Sequence, residues 1–200
     1  MNIDDNKKDI LKEVANIGAG NAATAFSGMI GQKIDMSVPE VELINIQELP
    51  AITGDEEDYI ACIMINFKGE ISGKILLVID METVERMLKL IFGTDDLPDK
   101  DMQNSALNEL GNILSGAYLK AINDFTALDL DQSVPAMAYD MAGAVLSSSV
   151  IDYSQTEDYI ILLETEFVAD QEKLELFYFF IPEKESLDIL FARLVGGSIA

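Results

Sequence analysis

Displaced by 96 residues, the segment Asp9–Pro39 falls on Ser105–Pro135 without a gap, and this duplication limits the possible folds more than any other feature of the chain. Identical across the shift are Leu11/Leu107, Glu13/Glu109, Asn16/Asn112, Ile17/Ile113, Gly20/Gly116, Ala25/Ala121, Asp35/Asp131, Ser37/Ser133, Val38/Val134 and Pro39/Pro135. Two unrelated segments of this length would share only about one or two positions, so common ancestry is the simpler explanation. A repeated unit that cannot bury its apolar face alone stacks on its copy. The 200 residues therefore read as one domain built from two repeats, about 1–96 and 97–200.

Downstream of the duplicated segment the halves match more loosely. Tyr59–Asn66 and Gly69–Asp80 have strand character with a turn at Phe67-Lys68-Gly69. Met81–Phe92 has helical spacing and meets a stop at Gly93. In the second half Tyr159–Phe167 and Leu174–Ile181 take the place of the strands, and Glu183–Val195 that of the helix, ending at Gly196-Gly197. Gly93–Asp101 is the natural linker, and Met141–Val150 adds a helix. Helix, strands, helix, twice over, predicts an α+β fold with pseudo-two-fold symmetry. A sheet shared by both halves is compatible with the pattern but not required by it.

Charge and composition remove whole classes of function. Acidic residues outnumber basic ones 36 to 13, for a net charge of −23, which opposes contact with nucleic-acid phosphates or anionic lipid. No histidine is present, which excludes histidine-based triads and histidine-ligated metals. The single cysteine, Cys62, excludes an internal disulfide and reads as a buried small hydrophobe. The N-terminal residues are charged and lack an apolar signal core. The uncharged run Val14–Gln32 is interrupted by glycines and amides, so no membrane span is expected and the location expected is cytoplasmic.

Asp9, Glu13 and Asn16 stand at i, i+4 and i+7, one stripe of a helix; Ser105, Glu109 and Asn112 repeat it. Ile10, Leu11, Val14 and Ile17 are expected mainly on the core side. Asparagine is a mediocre helix-interior residue because its side chain competes for backbone hydrogen bonds. Its presence twice, with glycine (Gly20, Gly116) next on the same stripe, points to a carboxylate and an amide offered to an approaching surface. A solvated polar face is the plainer explanation for one such stripe. Duplication shifts the balance toward two equivalent surface sites without naming a reaction.

The spacing Asp9-x₃-Glu13-x₂-Asn16-x₂₂-Pro39, repeated as Ser105-x₃-Glu109-x₂-Asn112-x₂₂-Pro135, resembles the paired signatures of the CheC phosphatases. The resemblance covers the whole chain in length and duplicated layout. It implies a duplicated α+β fold with each signature on a long surface helix over a sheet. It implies hydrolysis of the phospho-aspartate of the chemotaxis response regulator CheY. By the same resemblance Asn16 and Asn112 orient the attacking water, while Glu13 and Glu109 pair with a lysine of the regulator. Asp9, Ser105, Gly20 and Gly116 support the contact with the substrate protein, and Pro39 and Pro135 are structural, ending the strand after each helix. No cofactor belongs to the chain itself, Mg²⁺ being expected in the bound regulator. A second partner, the receptor deamidase CheD, is expected at Asp140–Ser149.

Two other readings compete. Gly18-Ala19-Gly20-Asn21-Ala22-Ala23 matches GxGxxA, but the residues before it have helical rather than strand periodicity, which opposes a dinucleotide site. The acidic clusters Asp55–Asp58 and Asp95–Asp101 lack the spacing of a calcium loop and read as solvated. The alternative to an enzyme is a non-catalytic adaptor that binds phosphorylated CheY or CheD, as in the related flagellar switch protein FliM, which lacks the catalytic pairs.

Overall fold

The computed structural model describes residues 5–52, 54–151, 159–169, 172–183 and 185–197. The first repeat opens with α1 (Asp5–Ile30), followed by β1 (Asp35–Asn45), a 3-10 turn (Ile46–Glu48) and the short α2 (Leu49–Ile52). A hairpin of β2 (Tyr59–Gly69) and β3 (Gly73–Asp80) leads into α3 (Met81–Phe92). The second repeat comprises α4 (Lys100–Thr126), β4 (Leu130–Gln132), β5 (Ala136–Met141) and α5 (Ala142–Val150). The hairpin β6 (Tyr159–Ala169) and β7 (Glu172–Pro182) and then α6 (Ser186–Gly197) complete it.

All seven strands join one sheet in the order β1-β6-β7-β3-β2-β4, with β5 also on β2, and every pairing is antiparallel. The repeats are interlocked. β1 leaves its own hairpin to pair with β6, and β4 and β5 pair with β2 of the first repeat. The register is the same on both sides. Met36 faces Phe167 as Gln132 faces Phe67, Val41 faces Leu163 as Met137 faces Ile63, and Leu43 faces Ile161 as Tyr139 faces Ala61. The two hairpins meet through β3 and β7, where Leu77 faces Tyr178 at the centre of the pseudo-symmetry.

One face of the sheet carries α1, α3, α4 and α6 over Ile63, Ile65, Ile75, Leu77, Leu163 and Phe180, and the other carries α2 and α5 over Ile60, Cys62, Leu162 and Phe179. Burial on both faces explains why β2, β3 and β6 read as continuous apolar runs rather than as alternating ones. The helix ends follow ordinary capping chemistry. Asp80 accepts from Thr83 N at 2.8 Å, Asp99 accepts from Met102 N at 3.0 Å, and Gly93 closes α3 at φ 65°.

The structure departs from the sequence-based expectation in several places. The β2–β3 turn falls at residues 70–72, because Phe67 stays in the sheet and stacks on Phe180 at 4.5 Å between ring centroids. Gly69 therefore lies within β2, where a Cβ would sit 1.8 Å from the Asp129 carbonyl oxygen. The last helix begins at Ser186 and passes through Gly196 rather than stopping before it; residue 184 lies outside the described residues. Neither signature proline ends a strand. Pro39 sits inside β1 at a bulge between Ser37 and Glu40, and Pro135 lies in the break between β4 and β5. Ile17 is 47% exposed instead of facing the core, since α1 rests on the sheet through Leu11, Val14, Ala15, Ala22 and Phe26.

α1 and α4 cross closely because small residues line the contact. A Cβ on Gly18 would meet Tyr118 Cδ1 at 2.6 Å and the Tyr118 Cα at 3.1 Å, whereas one on Gly20 would meet none of the described residues within 4 Å. Alanine favours a helix over glycine by about 1 kcal/mol, so Gly20→Ala should raise the urea midpoint. Gly18→Ala should lower it, because the clash with a buried ring and its backbone outweighs that gain. Cys62 is fully buried, and burial pushes its thiol up to about 12. A thiol reagent at mildly alkaline pH is therefore expected to label Cys62 only as fast as the chain unfolds.

Candidate functional site

Both signatures lie on the helical layer, on α1 and α4. Asp9, Glu13, Asn16 and Gly20 are exposed along α1. On α4, Ser105 and Glu109 are exposed, and Asn112 and Gly116 are half-buried. Each stripe thus places its carboxylate and its amide one turn apart on an accessible face, as the spacing implies. The two copies nevertheless differ in what the asparagine does.

Asn16 is fully engaged with backbone. Its Nδ2 donates to Lys12 O at 2.9 Å and to Val38 O at 3.1 Å, while its Oδ1 accepts from Val38 N at 3.0 Å. The amide side chain pairs with the Val38 peptide as a neighbouring strand would. The bulge between Ser37 and Glu40 interrupts the β1–β6 ladder at this point, which leaves the Val38 N–H and C=O for the helix side.

Asn112 makes no such pair. Its Nδ2 reaches Glu109 Oε2 at 3.5 Å, the outer limit of a hydrogen bond. Val134, the counterpart of Val38, is 87% exposed. Two contacts draw the strand away from the helix. Ser133 N donates to Asn66 O at 2.8 Å, and Asn66 N donates to Ser133 Oγ at 3.0 Å. Gln132 then fastens the helix by another route, donating from Nε2 to the Asn112 carbonyl at 3.3 Å and lying beside Gly116. Its counterpart in the first repeat is Met36, which has no group to donate.

A further polar contact does follow the duplication. Ser27 Oγ accepts from Ile34 N at 2.8 Å at the end of α1. Asn123, displaced by the same 96 residues, accepts from Leu130 N at 3.2 Å and donates to Leu130 O at 3.1 Å. Ser27, Asn123, Gln132 and Asn66 were not singled out by the motif. The first two carry a signal in the sequence, a polar residue at equivalent places in both copies. Gln132 carries none, and Asn66 takes part through its backbone alone.

Little else near the signatures is chemically poised. Lys120 is held by Asp124 at 2.5 Å, and Lys8 and Lys12 are exposed on α1. In the Asp55–Asp58 loop, Asp58 Oδ2 accepts from Asp55 N at 3.1 Å, and Asp55 Oδ1 accepts from Glu57 N at 3.0 Å. Among the described residues no three acidic or cysteine side chains gather to hold a metal ion, and no helix is long and apolar enough to cross a membrane. Gly18 and Gly20 lie within an unbroken helix, so the strand that a dinucleotide fingerprint requires is missing from this place.

Comparison with known proteins agrees with this architecture. The family model described as CheC-like matches residues 7–43, and that described as chemotaxis phosphatase CheX matches residues 61–155. The second match straddles the repeat boundary and takes in β2, β3, α3, α4, β4, β5 and α5. In the sheet those strands are neighbours, so the match follows a spatial half rather than a sequence half. The solved FliY of Thermotoga maritima is similar in fold, with a TM-score of 0.81 at 17% identity over 98% of this chain and 100% of that one. A solved CheX from Desulfovibrio desulfuricans gives a TM-score of 0.56 at 16% identity over 86% of this chain and 99% of its own length. The CheY-P phosphatase CheC of Bacillus subtilis (strain 168) is 35% identical over 98% of this chain and 97% of its own. With two interlocked repeats, two intact signatures and that identity from end to end, the chain belongs to the CheC family.

Proposed function

We propose that the chain hydrolyses the phospho-aspartate of the response regulator CheY, with the signature faces of α1 and α4 as docking surfaces. The observation that carries this reading is the Glu109–Asn112 pair. A carboxylate and an amide stand side by side on an accessible helix face, and among the described residues the amide side chain is bound only to that carboxylate, at 3.5 Å. The open space over Gly20 and the exposed Ile17 beside Asn16 add a flat, partly apolar surface to the first face. The name of the B. subtilis relative, a CheY-P phosphatase, supports the same substrate, and the description of the matching family as the chemotaxis phosphatase CheX supports the reaction class.

The chemistry suits residues of this kind. An acyl phosphate is an activated species, and its hydrolysis mainly requires a water held in line with the leaving carboxylate. A neutral amide can accept from that water with its oxygen and donate to a phosphoryl oxygen with its nitrogen. A carboxylate base would instead bring negative charge toward an already anionic group. Glu13 and Glu109 are better placed on a cation of the partner, such as a lysine of the regulator. The Mg²⁺ of the reaction then belongs to the regulator, and a cytoplasmic place goes with such a substrate.

A contact with the receptor deamidase CheD fits α5, where Ala144, Ser147 and Ser148 are exposed and Val145, Leu146 and Val150 are buried against the sheet. The small exposed side chains would let a partner approach the helix closely. Ser147→Lys should abolish co-purification with CheD and leave the free energy of unfolding within about 0.5 kcal/mol of the parent.

The reading is tested by following loss of phosphate from purified phosphorylated CheY. The parent chain is expected to accelerate that loss, and the double variant Asn16→Ala, Asn112→Ala is expected to return it to the spontaneous rate while remaining folded by circular dichroism. Binding of phosphorylated CheY without any change in its decay, with and without CheD, would establish the adaptor reading instead.

A further inference from the structure

The duplicated asparagines are in different states, and the difference has a traceable cause in the sequence. Both N–H groups of the Asn16 amide are committed, to Lys12 O and Val38 O, and its oxygen is occupied by Val38 N–H. An amide in that condition has no proton left to give to a phosphoryl oxygen. To act on a partner it must first release the Val38 peptide. That would leave a backbone N–H and C=O next to a buried valine side chain without their partner. Asn112 carries no such obligation, because Gln132 replaces its fastening role through the Asn112 carbonyl. Ser133 and Asn66 hold the local backbone away from it as well.

We propose that the two signatures are inequivalent: Asn112 belongs to an open hydrolytic site, whereas Asn16 is a clasp that fastens α1 to β1 and becomes available to a partner only when that clasp is released. The proposal rests on the phosphatase reading for its kinetic consequence and on geometry alone for its structural one. Asn16 is thus a positioning residue for α1 in the resting protein. The cause in the sequence lies at one substitution between the repeats, Met36 against Gln132, because the contacts of Ser133 use only the backbone of Asn66.

The test compares the single variants Asn16→Ala and Asn112→Ala with the parent by three measurements. In hydrolysis of phosphorylated CheY, Asn112→Ala is expected to cost at least about ten times more of the rate than Asn16→Ala does. In thermal unfolding, Asn16→Ala is expected to lower the midpoint by about 4 °C or more, as the loss of a half-buried pairing with the Val38 peptide implies, while Asn112→Ala moves it little. In amide hydrogen exchange, the Val38 N–H is expected to be protected in the parent and in Asn112→Ala and to lose that protection in Asn16→Ala. If Asn16→Ala is too unstable to purify, Asn16→Asp keeps the acceptor for Val38 N–H and removes both donors, and the same comparison is made with it.

Equal kinetic losses from the two variants, together with an unchanged midpoint and an unprotected Val38 amide, would overturn the proposal and leave the phosphatase reading standing. A parent chain that fails to hydrolyse phosphorylated CheY would sink the phosphatase reading. The clasp would then be decided by Val38 exchange alone, protection lost in Asn16→Ala supporting it and equal exchange in parent and variant refuting it.

Discussion

Each hairpin of this protein is covered on its outer edge by a strand from the other repeat. β1 completes the sheet beside β6, and β4 with β5 completes it beside β2. A lone hairpin with two long edges is a marginal structure and a template for unwanted pairing. The exchange of edge strands removes one edge from each hairpin, and the β3–β7 contact removes the other. The signature helices inherit their position from this arrangement. α1 precedes β1 and α4 precedes β4, so each helix is drawn across the sheet by a strand bound to the opposite repeat. Tyr118 seated on Gly18 then fixes how closely the two helices cross.

The same constraint explains why the asparagine can serve as a fastening. A helix packed over the strand that follows it in sequence brings its polar stripe near that strand's backbone wherever the ladder is interrupted. Both repeats interrupt the ladder at the equivalent place, by a bulge at Ser37–Glu40 and by the break around Pro135. Proline promotes this, since it has no N–H to contribute to a ladder. In the first repeat the freed peptide turns to Asn16. In the second, Ser133 and Asn66 take up the slack, and Val134 is left in solvent.

Much of the fold could be read from the sequence because the repeat fixes it twice. The 96-residue shift, the helix over Met81–Phe92 and the second hairpin all follow from periodicity and stop signals. What could not be read depends on contacts between distant segments. The turn after β2 moved because Phe67 found Phe180, a partner 113 residues away. Spacing alone puts Ile17 on the core side, but the width of the buried stripe is set by what α1 rests on. The family resemblance implies that the signature prolines end strands, yet a bulge keeps Pro39 inside β1. The stripe Asp9–Glu13–Asn16 does lie on an accessible face, as its spacing predicts. Periodicity reports a face, though, and is silent on whether a side chain there is bound or free.

The size of the clasp bears on how two such sites could coexist. A net hydrogen bond contributes about 0.5–1.5 kcal/mol, so the Asn16 pairing with Val38 is worth about 1–3 kcal/mol. At about 1.4 kcal/mol per factor of ten, the released form is then on the order of one molecule in ten to one in a hundred. A partner that needs the released amide binds with its affinity reduced by that fraction. Such a cost is small against the energy of a protein–protein contact, so a sufficiently complementary surface could open the first site where a weaker one could not. Identity of residues across the duplication therefore does not imply identity of state. The first copy retains every atom of the signature and still places its amide in the service of its own strand.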